Sequence, residues 1–395
     1  MRRRAINIFY ISILYLKSKP LNFLLSVFLM IIGITIITFS ILVNQITKET
    51  FSKNNPGLDA VVGAKGSPLQ LILSSIHHID IPTGNISYQN AKKIIKHPAI
   101  KSAIPISLGD NFQNFRIVGT NKSFLKLYKA NLNSGTAWSK PMQAVIGHNV
   151  SKVTNLNINK FFVGSHGLID TGDVHAEQPY KVVGVLNKTG TILDNLILTS
   201  LDSVWNLHSD VNKGKLEITS LLLKYKNKTS AFSFPRLINK GTNMQAASPS
   251  FEISKLLKLT SNAHKIIDYL SVLIILLSLV GVFFTLLNNI NERRYDLAIL
   301  RTLGFSRLKL FSIILSEGMI ISIVGSTVGL IFGYLIYESM HYFSIVGRSI
   351  ELGQLNFLND LFLIWITVNI IAFITCLVPC IKVYKQNIRT TLLNS

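Results

Sequence analysis

Asn291-Glu-Arg-Arg-Tyr-Asp-Leu-Ala-Ile-Leu-Arg-Thr-Leu-Gly304 is a charged, helix-prone stretch between two long apolar runs, Ile266–Leu287 and Leu310–Tyr337. Each run is long enough to cross a bilayer, which takes about 20 apolar residues. The stretch between them is therefore a short, Arg-rich membrane loop. Asn291 can cap its start, and Leu297, Ala298, Leu300 and Leu303 recur at helical spacing. Gly304 supplies the left-handed stop. The pattern predicts a compact amphipathic helix against the inner face of the membrane. Its leucines would be seated on the bundle, and Glu292, Arg293, Arg294, Asp296 and Arg301 would be offered to the cytoplasm. The same charges could serve only to anchor the loop and set its orientation.

Two further apolar runs, Leu21–Val43 and Leu361–Cys380, bring the total to four, and the charged fraction is only 15%. A soluble protein averages about 25%. The chain is expected to be an α-helical membrane protein with four transmembrane helices and an inserted extracytoplasmic α+β domain. A net charge of +21 invites a nucleic-acid partner, but its distribution argues for a membrane instead. Residues 1–20 carry five cations and no acid, the loop 288–309 five cations against two acids, and residues 381–395 three against none. If all four runs span, these segments share one side, and the positive-inside rule makes that side the cytoplasm.

The expected organisation is a cytoplasmic interfacial helix within 1–20, a first span at 21–43 and an extracytoplasmic core domain at 44–264. A second span at 265–287, the cytoplasmic helix at 288–309 and a third span at 310–337 follow. A short outer loop (338–360), a fourth span (361–381) and a cytoplasmic tail (382–395) complete it. The basic start is read as an interfacial helix over 5–18 feeding an uncleaved first span, because the run after Pro20 is too long for a signal core. The segment 44–264 holds 25 Lys and Arg against 12 acids, and long translocated domains escape the charge rule.

Within 44–264, β-type runs at Phe115–Gly119, Gln143–Ile146, Tyr180–Val185, Asn195–Thr199 and Ile218–Tyr225 alternate with helix-like pieces, which gives an α+β expectation. Asp59–Gln70 reads as a Gly-rich turn, because it lacks the Gly-x4-Gly-Lys-Ser/Thr spacing of a phosphate loop. Gly325, Gly329 and Gly333 lie four apart and mark a helix-packing face. Glu317, an acid inside an apolar run, marks an intramembrane polar site, with pairing to a nearby cation such as Arg307 or Lys309 favoured over a proton or ion role. His77, His78 and Asp80 are weak metal candidates, and Asp173 and His175 weaker ones. Neither group has closed ligand spacing, so surface histidines without a ligand are expected. Cys376 and Cys380 are read as small packing residues in the last run. No nucleophile elbow or His-Glu-x-x-His helix is present.

Glu292-Arg293-Arg294, Asp296, Ala298, Leu300-Arg301 and Leu303-Gly304 resemble, in order and spacing, the hallmark of FtsX-like permeases, the membrane subunits of MacB-type ABC systems. Ile117-Val-Gly-Thr-Asn, Tyr180-Lys-Val-Val-Gly-Val-Leu and Thr189-Gly-Thr191 followed by Asp194-Asn195 resemble the periplasmic core domain of the same family. The tail resembles the family ending but has Cys380 in place of Ala and Ile388 in place of a second Pro. The resemblance implies that Glu292, Arg293, Arg294, Asp296, Ala298, Arg301 and Gly304 form a coupling element on a separate cytoplasmic ABC ATPase. That partner would bind the ATP and Mg, and this chain would hold no cofactor. It also implies a second permease copy or paralogue, a bacterial inner membrane, a periplasmic partner and no nucleic acid. The work implied is export or extraction. A non-transporting signalling scaffold and a metal-handling permease are the alternatives.

Overall fold

The computed structural model describes residues 8–18, 20–167, 178–207, 216–343 and 356–384. The expectations that fall on residues 1–7, on Asp173 and His175, on most of the loop 338–360 and on the tail beyond Tyr384 lie outside these. The described residues divide into two compact units, one built from 8–45, 261–340 and 356–384, the other from 46–260 and 341–343.

The first unit is helical. Four helices are long and apolar enough to cross a membrane: Pro20–Lys53, Pro249–Glu292, Arg307–Phe343 and Asn356–Tyr384. At about 1.5 Å per residue the second is about 66 Å long, roughly twice a hydrocarbon core. It runs unbroken from Pro249, as expected of a helix that leads from the inserted domain directly into the apolar run. The three glycines of the third membrane helix lie against the first. A methyl group at Gly325 would come 2.8 Å from Met30 Cβ. At Gly329 it would come 2.7 Å from Ile34 Cβ and at Gly333 2.7 Å from Thr38 Cβ. Contacts this short with Cβ atoms next to the backbone leave no room even for alanine, so the glycine face is an intrachain helix–helix seam. Thr35 Oγ1 donates across it to the Gly329 carbonyl at 3.2 Å.

The third and fourth membrane helices are joined by polar side chains. Ser322 Oγ donates to Asn369 Oδ1 at 2.9 Å, and Asn369 Nδ2 donates to Ser326 Oγ at 3.1 Å. Gly318 gives room to Cys376, and both cysteines are buried thiols, in the packing role their spacing predicts. The short helix Ile8–Ser18 packs one face on this bundle through Leu16 and the fully buried Ser12. Ser12 Oγ meets the Ile313 carbonyl at 3.1 Å and Ser316 Oγ at 2.6 Å. Its other face exposes Phe9, Tyr10 and Leu14, as a membrane-surface helix requires.

The second unit is a mixed α/β domain on one large sheet, in the strand order Met244–Ala247, Ala60–Ala64, Ser220–Tyr225, Ile100–Phe112, Phe115–Thr120, Leu196–Ser200, Gln143–Ile146, Tyr180–Leu186, Leu132–Gly135. Ile100–Phe112 joins two halves: its first part pairs antiparallel with Ser220–Tyr225, its second with Phe115–Thr120. This longest strand eludes a pattern reading because Ile104–Leu108 are buried without alternation, and Pro105 and Gly109 interrupt the apolar run. Ala60–Ala64 corrects the Gly-rich-turn reading of Asp59–Gln70. It is an inner strand, four of its five residues are buried, and its neighbours Met244–Ala247 and Ser220–Tyr225 cover both edges. The residues after it begin a helix, Pro68–Ser75, whose start is capped by Ser67 Oγ accepting from the Gln70 amide at 3.4 Å. The Thr189–Asn195 phrase is a turn closed by Asp194, whose carboxylate accepts from the amides of Thr189 (2.8 Å) and Gly190 (2.7 Å).

His77 and His78 are buried, 1% and 7% exposed, which corrects the surface reading. His77 meets the Phe51 ring edge-on at 4.7 Å, and His78 faces Phe124 at 6.5 Å. None of the four ring nitrogens has a hydrogen-bond partner. Burial pushes His77 down to about 4; for His78, burial and then the nearby Arg116 cation push it to about 3. Among the described residues, no group of three His, Cys, Asp or Glu side chains is arranged to hold a metal ion.

Candidate functional site: the loop between the second and third membrane helices

The chain leaves the long helix at Glu292, turns at Arg293 (φ −103°, ψ 18°) and re-enters a nine-residue helix, Arg294–Thr302. Asn291 is not the cap: it lies inside the preceding helix, and its Oδ1 accepts from Arg294 Nη2 at 2.9 Å. Gly304 does stop the helix, at φ +96°, a conformation glycine adopts without a Cβ penalty. The Phe305 amide closes the turn on the Leu300 carbonyl at 3.0 Å. Ser306 Oγ then accepts from the Lys309 amide at 3.3 Å, and the third membrane helix begins.

The residues predicted to face the cytoplasm divide into two groups. Glu292, Arg294 and Asp296 are exposed, Arg301 is half-buried, and Ala298 is buried beside Leu297. Arg293 is the correction. It is 9% exposed and turned inward, with Nη1 donating to Glu317 Oε1 at 3.2 Å. Its Nη2 donates to the Tyr15 carbonyl at 3.0 Å and to Ser18 Oγ at 3.2 Å, and its guanidinium lies 4.1 Å over the Tyr15 ring. Glu317 is 2% exposed, with Asn289 lining the same small cavity. The cation for Glu317 is thus Arg293 and not Arg307 or Lys309. One guanidinium ties together the N-terminal helix, the head of the loop helix and the third membrane helix. A carboxylate buried among apolar side chains needs such a partner, and a planar, forked guanidinium can serve several acceptors at once.

Leu303 also departs from expectation. It is 73% exposed, where the spacing predicts it seated on the bundle. With Ile299 and Tyr295, four and eight residues before it, it forms an apolar stripe on the outward face, flanked by Glu292, Asp296 and Arg301. The stripe was legible as a second set of apolar positions at spacing four, offset from Leu297 and Leu300. The loop helix therefore has a seated face (Leu297, Ala298), an internal anchor (Arg293) and an outward face that is both apolar and charged. That composition is typical of a protein-binding surface, where apolar contacts lie within a polar rim.

A family model for the FtsX-like permease C-terminal region matches residues 269–388, and one for the MacB-like periplasmic core domain matches residues 23–235. Over 188 residues the chain is 26% identical to an uncharacterized ABC transporter permease of Methanocaldococcus jannaschii, covering 44% of this chain and 46% of that protein. The chain thus spans less than half the length of that relative. Among solved structures it is similar to the periplasmic region of MacB from Actinobacillus actinomycetemcomitans. The identity is 15%, over 52% of this chain and 97% of that one, with a TM-score of 0.36. It is also similar to the extracellular domain of the noncanonic ABC-type transporter YknZ from Gram-positive bacteria, at 12% identity over 48% of this chain and 100% of that one, TM-score 0.32.

Proposed function

We propose, because the chain belongs to the FtsX-like permeases that carry a MacB-like periplasmic core domain, that it is the membrane subunit through which a separate cytoplasmic ABC ATPase moves the inserted domain. The observation that carries this reading is the loop helix, anchored inside by Arg293 and presenting Tyr295, Ile299 and Leu303 among charges outside. An anchor in the turn that enters the helix and a docking face along it let a push on the face be delivered to the helices on either side of it. The long helix Pro249–Glu292 ends directly before the anchor, and its lack of a break supports its use as a lever.

In this reading both termini and residues 288–309 are cytoplasmic, the inserted domain is extracytoplasmic, and the membrane is a bacterial inner membrane. The working unit is a dimer with a second copy or a paralogue. ATP and Mg are held by the ATPase, and the work is export, or extraction from the outer leaflet.

Glu292→Ala combined with Arg301→Ala removes charges from the docking rim without touching Arg293. Rim charges contribute far less than buried ones, so the expected result is a folded, inserted chain whose partner ATPase still co-purifies but is stimulated several-fold less. Wild-type stimulation by the double variant would make these charges topology anchors only.

A further inference from the structure

The inserted domain has a groove unrelated to the loop, walled by the helices Tyr88–Ile95 and Ser230–Gly241 and partly open to solvent, with a volume of about 400 Å³. That lies within the range of small-molecule sites, about 300–1,000 Å³. Its floor is apolar, made by Ile94, Phe234, Ile238 and Met244, with Leu237 55% exposed at the lip. Its polar lining is Asn90, Thr242, Asn243, His97 and a single charge, the exposed Lys93. The charge on its two wall segments has one sign. Residues 88–101 carry Lys92, Lys93, Lys96 and Lys101 and no acid; residues 226–243 carry Lys226, Lys228, Arg236 and Lys240 and no acid. All eight are exposed, and Lys92 is held 4.8 Å over the Tyr88 ring. Residues 236–268, which include part of the second wall, fall between the two family matches.

We propose that this groove binds a single-chain anionic amphiphile, the acyl chain on the Phe234–Ile238–Met244 floor and the phosphate-bearing head at Lys93. An apolar floor accounts for the chain, and the cationic wall segments account for the head. A zwitterionic head would gain nothing from that field, and a free anion would leave the floor wet. Such a ligand is the substrate class of the permease described above and rests on that reading for its fate alone; its binding does not need an ATPase.

The test uses the full chain in phosphatidylcholine nanodiscs without ATP, and a lysophosphatidylglycerol carrying a diazirine on its acyl chain. After irradiation the adducts are mapped by peptide mass spectrometry. Adducts are expected on residues 88–97 and 230–244. Lys93→Glu and Leu237→Asp, both at exposed positions, should each lower them about tenfold, the loss expected for one charge-assisted contact or one apolar anchor. A choline-headed analogue should label the groove about tenfold less, and glycerol phosphate should not compete. Adducts confined to the membrane helices, equal labelling by the choline analogue, competition by glycerol phosphate, or protection of Leu237 by a second copy would each overturn the assignment. Because no ATP turnover is involved, these outcomes leave the permease reading untouched, and a failure of that reading leaves the binding result standing.

Discussion

Arg293→Ala is expected to destabilise the membrane unit by about 3–5 kcal/mol, the cost of leaving a buried charge without its partner. The charge left behind is Glu317, 2% exposed in the third membrane helix. The same substitution frees the Tyr15 carbonyl and Ser18, so the N-terminal helix loses one of its ties to the bundle. Glu317→Gln should cost less, because Arg293 keeps Tyr15 and Ser18 as acceptors. Replacing both members by apolar residues (Arg293→Met with Glu317→Leu) should recover much of the loss, since an apolar pair has no charge to desolvate. Thermal unfolding of the detergent-solubilised chain measures all three against the wild type. An Arg293→Ala protein that unfolds with the wild type would mean that the guanidinium is not holding Glu317.

The second large effect is the acid lability of the inserted domain. His77 and His78 are buried and neutral, with folded values near 4 and 3, against about 6.5 in an unfolded chain. The unfolded state therefore binds protons first as pH falls. Stability is complete above about 6.5 and is lost progressively down toward pH 4 and then 3, where the folded domain protonates too. For His77 alone the loss is about 3 kcal/mol over that window, and His78 adds at least a comparable amount. Between pH 6.5 and 5 most carboxylates are still ionised, so this interval isolates the histidines. His77→Leu should roughly halve the slope of the melting-temperature profile there, because only His78 then has to be charged on unfolding. A wild-type profile that is level from pH 7 to 5 would show that these rings are already protonated or solvated in the folded domain.

The loop was legible because its charges interrupt two apolar runs, and a membrane leaves few other places for such a segment. Which of its charges turn inward was not legible. Glu292, Arg293 and Arg294 are adjacent in sequence, and only the turn at Arg293 points that one residue toward Tyr15 and Glu317. Glu317 announced the need for a cation, but the cation lies 24 residues away, across the loop. The glycine face was readable from spacing, whereas its partner residues Met30, Ile34 and Thr38 belong to a helix some 300 residues earlier and carry no matching signal. In the inserted domain, Phe115–Thr120 and Gln143–Ile146 were found by their β-type runs. Ala60–Ala64 was lost because small residues and glycine read as a turn when burial is unknown. His77-His78 was misplaced for the same reason: two polar letters beside Asp80 look like surface, and only the packing of Phe51 and Phe124 makes them interior.

The central claim is that the outward stripe of the loop helix is covered by an ABC ATPase. A photocrosslinking amino acid placed at Ile299, on the outward face and away from Arg293, tests it most directly in growing cells. The predicted adduct joins this chain to an ATPase subunit, whereas the same probe at the buried Leu297 yields only crosslinks within the chain. An Ile299 probe that captures lipid alone, or nothing, would contradict the account.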